Sequence, residues 1–347
     1  MTAPLVLQIS NEDRDYGENN AFVRGFTELV REGRLRHRYA APAVDPADIT
    51  RGERPDLVLV QSPQPYPWGH RQVASTVRAL GSPPVLVWEG DAWGGLGKPL
   101  RVRNTSWMRH AEAVYSVAHG PQAELLHKAS GGRPVHYVPN CLPLAFAPPE
   151  PPGAAAATGV ALLGSRMTYG GIELVRDDRE RSTLVRQLTD LPGLRVYGKR
   201  WRGPHACGAV PYFEQQAALR RSLITVGWNR YRRYPGFFSD RLPIAMAAGR
   251  VHVSSRHPDL EWLPGPEDGL HLCDTPREAA CAVRDLLAEP ATELLARAAR
   301  MRTWVLAHMT ETHALRHMLA PYLPGIPAPT GPPWTTGRAP TPTASPV

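Results

Sequence analysis

The sequence predicts an α/β protein built from two Rossmann-like domains in tandem, closed by a helical C-terminal segment. Its 347 residues, 42% of them hydrophobic, exceed what one core usually supports. Short apolar runs bounded by turn residues alternate with amphipathic stretches, the pattern of parallel βα units rather than of a sandwich. The series is broken once, over residues 146–158, by a Pro- and Ala-rich stretch with almost no periodicity, which reads as a linker.

In chain order, strands are expected at 4–9, 56–61, 84–88, 113–118 and 135–138, with helices at 19–33 and 121–130. A second set of strands is expected at 159–164, 194–198, 222–228, 250–254 and 268–272. Helices there fall near 180–190, 214–221, 239–248 and 276–287, and a long helical pattern fills 291–322 before Pro321 ends it. The expected domains are therefore 1–147 and 158–299, joined by a linker at 148–157. A helix at 300–322 follows, and then a Pro-, Thr- and Ala-rich tail at 323–347 with little to bury, expected to be disordered.

Composition narrows the function. The net charge is +8 and the pI about 9.6, yet the basic residues are scattered rather than massed in a nucleic-acid arm, so no nucleic-acid partner is expected. No run reaches the length of a membrane span and no secretory leader opens the chain, so a cytoplasmic location is expected. Cys141, Cys207, Cys273 and Cys281 form no Cys-x-x-Cys pair, which argues against a disulfide framework or a zinc site. His313 and His317 lie four apart but lack the His-Glu-x-x-His pattern, and no metal site is expected. A phosphate loop, a dinucleotide fingerprint after the first strand and a nucleophile elbow are all missing.

In open α/β sheets ligands bind beyond the C-terminal ends of strands, so those crossings hold the candidates. Gly164, Ser165 and Arg166 offer close approach, a hydroxyl and a cation, as a diphosphate contact or as an ordinary turn. Tyr197, Gly198 and Lys199 end the next strand, where Lys199 is one of only three lysines and a point charge suited to a leaving diphosphate. Trp228 and Asn229 open a basic, aromatic loop that leads to Ser239, Asp240 and Arg241. There Ser239 is a good helix cap, and capping is compatible with phosphate binding. In the first half, Asp91 and Trp93 follow a buried strand, and a carboxylate in a partly dry cleft is a candidate base, or else pairs with Lys98 or Arg101. Gly17 and Asn19 after the first strand, and Tyr66 and Trp68 in the 61–72 loop, are candidates for an acceptor pocket, the last two as stacking rings or as an exposed loop.

With these pieces in order over about 157–315, the chain resembles the group 1 glycosyltransferases of the GT-B fold, in the branch of spore-maturation-type transferases. The matching pieces are Gly164-Ser165 ending a strand, a helix starting near Arg181, Tyr197-Gly198 with Trp201, Val210-Pro211-Tyr212 with Glu214, and Trp228-Asn229. Ser239-Asp240-Arg241, Ala247-Ala248-Gly249 and Pro258-Asp259-Leu260-Glu261 follow. The first half resembles the family more loosely, through Asp91, Ser116-Val117-Ala118 and Val138-Pro139-Asn140. The resemblance implies a nucleotide diphosphate sugar, as co-substrate rather than cofactor, on the C-terminal domain and an acceptor on the N-terminal one. It also implies a final helix crossing back to the first domain. One departure stands out: the paired glutamates of many relatives fall at Gly236 and Ile244, so a retaining outcome does not carry over. Glu261 or Asp240 is the candidate for the ribose contact instead. Metal-independent transfer is expected, with Arg166, Lys199 and Arg241 meeting the diphosphate charge. A 2-epimerase-like enzyme and an inactive nucleotide-binding scaffold are the alternatives.

Overall fold

A computed structural model describes residues 2–10, 22–41, 45–62, 68–93, 99–147 and 158–335. The first domain is a sheet of β1 (Leu5–Ser10), β2 (Arg36–Ala40), β3 (Leu57–Ser62), β4 (Val85–Glu89), β5 (Ala113–Ser116) and β6 (Val135–Tyr137). Every pairing is parallel, in the order β2-β1-β3-β4-β5-β6. All residues of β1, β4 and β5 are buried, as expected where both faces of a parallel sheet are covered. Its helices are α1 (Val23–Arg31), α2 (Pro46–Thr50), α3 (His70–Ala79) and α4 (Pro121–Ala129).

The second domain repeats the plan with β7 (Val160–Leu163), β8 (Arg195–Tyr197), β9 (Ala206–Gly208), β10 (Ile224–Gly227), β11 (Val251–Ser255) and β12 (Leu270–Cys273). Their order is β12-β11-β10-β7-β8-β9, again all parallel. α5 (Arg176–Leu188), α6 (Gln215–Arg220), α7 (Arg241–Ala247) and α8 (Pro276–Leu287) cover it.

The long C-terminal pattern is two helices, α9 (Ala291–His308) and α10 (Glu311–Leu319), and the anticipated boundary at residue 300 falls inside α9. The break is fixed by hydrogen bonds to the first domain. The Leu142 N–H donates to the Met309 carbonyl at 2.8 Å, and the Glu311 N–H to the Leu142 carbonyl at 2.9 Å. A helix cannot run on through residues whose backbone groups are bound elsewhere. Past the break α10 lies on α1, where Thr312 Oγ1 donates to Glu28 Oε2 at 2.5 Å and Arg316 Nη2 to Glu32 Oε2 at 2.6 Å. α10 thus packs against the first domain.

Residues 323–335 are not a loose tail, because Leu323, Ile326 and Trp334 are buried in the core that joins the domains; 336–347 lie outside the described residues, as do 148–157 of the expected linker. The short helices α2 and α3 and the edge strands β2 and β9 also go beyond the sequence reading. Among the described residues no helix is long and apolar enough to cross a membrane.

Candidate active site

In the second sheet the chain leaves β7 for its neighbour β8 on one side, while β10 lies on the other, so the strand order reverses between β7 and β10. Loops leaving such a reversal go to opposite faces and open a crevice between them. Here it is bordered by Gly164 and Ser165 after β7, Trp228 and Asn229 after β10, and Arg241 at the start of α7. A narrow pocket runs beneath it along Leu163, Gly227, His252 and Ser254.

Arg181 of α5 holds the two strand ends together. Its Nε and Nη2 donate to the Trp228 carbonyl, the former at 2.8 Å, and its Nη1 donates to the Ser165 carbonyl at 2.7 Å. Burial first, and then the cation of Arg241, push its guanidinium down to about 10. The wholly buried Asp178 carboxylate lies 3.1 Å from Arg230 Nη2 and 3.8 Å from Arg181 Nη1; burial raises its pKa despite both cations. Arg181 and Arg230 thus share the buried Asp178, Asp177 also acts on Arg181, and Arg241 lies close enough to Arg181 to repel its charge. Among the described residues Arg241 has no carboxylate within ion-pair distance. An excess of fixed positive charge with one partner missing favours an anion.

The other second-domain candidates separate into those at the crevice and those spent on structure. Gly198, at φ 141°, is required by packing: a Cβ there would lie 2.4 Å from the Gly164 carbonyl oxygen. Lys199 follows it, exposed, with its N–H donated to Ser165 Oγ at 3.0 Å. Arg166 is tied to Glu173 at 2.6 Å. Tyr197 and Trp228 bring little of their rings to the crevice. Both rings are buried in cores, with the Trp228 Nε1 donated to Glu180 Oε2 at 3.3 Å and Arg232 over its ring. Ser239 does not cap the helix either; Asp240 is the cap residue and makes no side-chain cap bond, while Ser239 Oγ donates to Asn229 Oδ1 at 2.9 Å. Asn229 completes that network through Ser254 and Ser255. Glu261 lies exposed on its turn; the acid of that turn that faces the first domain is Asp259, whose charge acts on His119 and Tyr137.

Across the boundary, Asp91 is half-buried at the end of β4. Its N–H donates to Glu89 Oε1 at 3.2 Å, and its carbonyl accepts from Gln122 Nε2 at 2.8 Å. Gln122 Oε1 also accepts the Trp93 N–H at 2.9 Å, so one amide on α4 fixes the whole 91–93 turn. Trp93 and Trp68 are each 5% exposed in the first-domain core, Trp68 against Trp107, so neither ring is an acceptor platform as expected. Gly17, Asn19 and Tyr66 lie outside the described residues.

The place of the absent first glutamate has a structural account. Gly236, at φ 74°, packs on the first domain. A Cβ would lie 2.7 Å from His119 Cδ2 and 3.0 Å from the Tyr137 ring, and Tyr137 Oη donates to the Gly236 carbonyl at 2.6 Å. Any side chain there would collide with the neighbouring domain. Sequence reading also missed Tyr231 and Tyr234, which line the boundary beside Asp91: Tyr234 Oη donates to the Trp93 carbonyl at 2.7 Å. Burial raises the Tyr231 phenol first, and the nearby Asp91 carboxylate adds to the rise.

Residues 179–320 match the model of a family described as Glycosyl transferase-like. No curated protein matches the sequence. Among solved structures, an alpha-glucosyltransferase in complex with UDP and a 13-mer DNA containing an HMU base aligns with a TM-score of 0.65 at 9% identity, over 93% of this chain and 100% of that one. Sucrose-phosphate synthase of Thermosynechococcus elongatus aligns at 0.59 and 12%, over 92% and 98%. HepE of Anabaena, in complex with UDP and glucose, aligns at 0.57 and 11%, over 92% and 100%. At such identities the likeness is one of fold, and the fold of this chain is GT-B.

Proposed function

We propose that the chain is a glycosyltransferase that moves a sugar from a nucleoside diphosphate sugar, with UDP as the first candidate, to a hydroxyl of an acceptor. The observation that carries this reading is the excess of arginine over acid at the strand reversal of the second domain, where Arg241 has no acidic partner among the described residues. The family match over 179–320 supports it, as does the UDP named with two of the aligned structures.

The diphosphate lies in the crevice with Arg241 and Lys199 as the cations that meet its charge, while Arg181 holds the strand ends that shape it. As the bond from the sugar C1 to the phosphate oxygen breaks, its electron pair leaves with the diphosphate. Fixed cations stabilise that charge best when they need not reorganise, and such stabilisation is usually the largest catalytic contribution. The acceptor oxygen forms the new bond to C1 and its proton passes to Asp91, the half-buried carboxylate across the boundary. In this reading Arg241 and Lys199 meet that charge, and transfer needs no metal ion.

The test is product analysis by mass spectrometry after incubating the protein with UDP-, GDP-, TDP- and ADP-glucose and a panel of hydroxyl acceptors, with and without EDTA. Glycosylated acceptor formed equally in EDTA is the expected result. Isomerised sugar nucleotide without acceptor would instead identify a 2-epimerase-like enzyme, and diphosphate binding with no product would identify a scaffold.

A further inference from the structure

β7 ends at Leu163, and before α5 begins the chain makes a small hairpin beside the crevice. The Tyr169 N–H donates to the Ile172 carbonyl at 2.8 Å, and the Ile172 N–H returns to the Tyr169 carbonyl at 3.1 Å. Gly170 and Gly171 close it at φ 58° and 86°, the positive pair that a tight two-residue turn uses. A Cβ at either glycine would meet nothing within 4 Å, so the tip stands in open space. Its flanks are fastened. Glu173 Oε1 accepts from Arg166 Nε at 2.6 Å and from Ser182 Oγ at 2.5 Å, and the Thr168 carbonyl accepts from Arg200 Nη1 at 3.0 Å.

This fixed hairpin shows apolar side chains to the outside. Ile172 is 63% exposed, Leu174 61% and Tyr169 38%. Single apolar residues are common on surfaces, but three of the five large hydrophobic residues exposed among the described residues fall between Tyr169 and Leu174. Charge beside the tip is sorted by sign. Arg200, bonded to the hairpin, is exposed, as are Lys199 and Arg202 on either side of it and Arg179 at the start of α5. The acids of the same stretch are turned to inner partners: Glu173 to Arg166, Asp177 to the Tyr231 N–H, Asp178 to Arg230 and Glu180 to Arg232.

We propose that this hairpin docks the protein on an anionic lipid surface, with Ile172 and Leu174 entering the interface and the neighbouring cations meeting phosphate headgroups. The proposal does not depend on the transferase reading. Aliphatic side chains gain by leaving water for the acyl boundary, and each cation close to the surface adds attraction to an anionic leaflet. A tyrosine, with an apolar body and a polar edge, suits the headgroup level. A nucleic acid would engage the cations but has no apolar layer for isoleucine and leucine to enter. Because the hairpin follows directly from Gly164 and Ser165, docking sets the crevice beside the lipid surface.

The experiment is cosedimentation of the full chain with vesicles of phosphatidylcholine alone and of phosphatidylcholine mixed with phosphatidylglycerol, at low and high salt. The wild type is expected to pellet with the mixed vesicles and to stay in solution with phosphatidylcholine alone. Ile172→Ser combined with Leu174→Ser is expected to weaken partition at least about tenfold at unchanged Tm, because both side chains are exposed. Arg179→Gln combined with Arg202→Gln is expected to weaken it as well and to flatten its dependence on salt. A wild type that ignores the mixed vesicles, or a serine pair that binds them as tightly as the wild type, would overturn the proposal. Binding to duplex DNA that displaces the vesicles and survives the serine pair would overturn it in favour of a nucleic acid. Self-association abolished by the serine pair, with no vesicle binding, would overturn it in favour of a second copy of the chain.

Discussion

Replacing Arg181 with methionine removes the donors that cover the Ser165 and Trp228 carbonyls and takes one of two cations from the buried Asp178. Leaving such groups unpaired costs about 3 kcal/mol, which urea denaturation would register as a lower midpoint at unchanged slope. Arg241→Ala acts differently. It removes a charge with no acidic partner among the described residues, so stability should hold while turnover falls by roughly 100-fold, and Lys199→Ala should fall in the same direction. Gly236→Ala is expected to lose stability through the clash with His119 and Tyr137, read as a lower Tm, so restoring a carboxylate at this position would not restore a sugar contact. The crevice residues Gly164, Lys199 and Arg241 were legible because glycines and cations at strand ends have few structural reasons to be there. Arg181, Tyr231 and His119 were not. A helical arginine reads as solvated in a linear sequence, and only the assembled fold shows it aimed at the carbonyls of two strands. The same blindness ran the other way for Trp68, Trp93, Tyr197 and Trp228, whose rings fill cores.

Elements buried on both faces were the easiest to find. β1, β4 and β10 are mostly apolar runs, whereas β2 is an edge strand of sequence Arg36-His37-Arg38-Tyr39-Ala40, half-exposed throughout. Its polar residues satisfy themselves laterally, His37 by stacking on Phe26 with centroids 4.2 Å apart, so no hydrophobic pattern announces the strand. β9 is three residues long at the opposite edge of the other sheet and gives still less signal. The break between α9 and α10 was invisible because it is imposed by Leu142, far away in sequence. α10 completes the core of the first domain through Leu315, Met318 and Leu319. Ending the chain after Met309 is therefore expected to unfold the first domain while the second keeps its own core, as limited proteolysis with mass mapping would show.

The whole molecule is held across its domain boundary by backbone-directed bonds. Tyr137 and Asn140 reach the Gly236 and Phe238 carbonyls, and the His119 N–H reaches the Pro235 carbonyl. Its stability should depend on pH through buried groups. Burial lowers His37 to about 4 and His252 and His257 to about 3, so the folded chain binds fewer protons than the unfolded one below pH 6.5. Stability is therefore full above pH 6.5 and is lost as pH falls toward 3, with a slope approaching about 1.4 kcal/mol per pH unit for each histidine. Glu311, raised to about 7 by burial, acts in the opposite sense, losing stability between pH 4.5 and 7 as pH rises. Asp178, also raised by burial, acts in the same sense as Glu311. The three histidines outweigh these two carboxyls, so urea midpoints should fall from pH 7 to pH 5, and a midpoint that rose over that range would refute the assignment. A nucleoside diphosphate site built on fixed arginines in the crevice of the second domain is checked by calorimetric titration of UDP, GDP, TDP and ADP onto the wild type and Arg241→Ala in EDTA. One diphosphate binding the wild type at least tenfold more tightly than Arg241→Ala is the predicted result; no binding by any of the four, or equal binding by the two proteins, would contradict it.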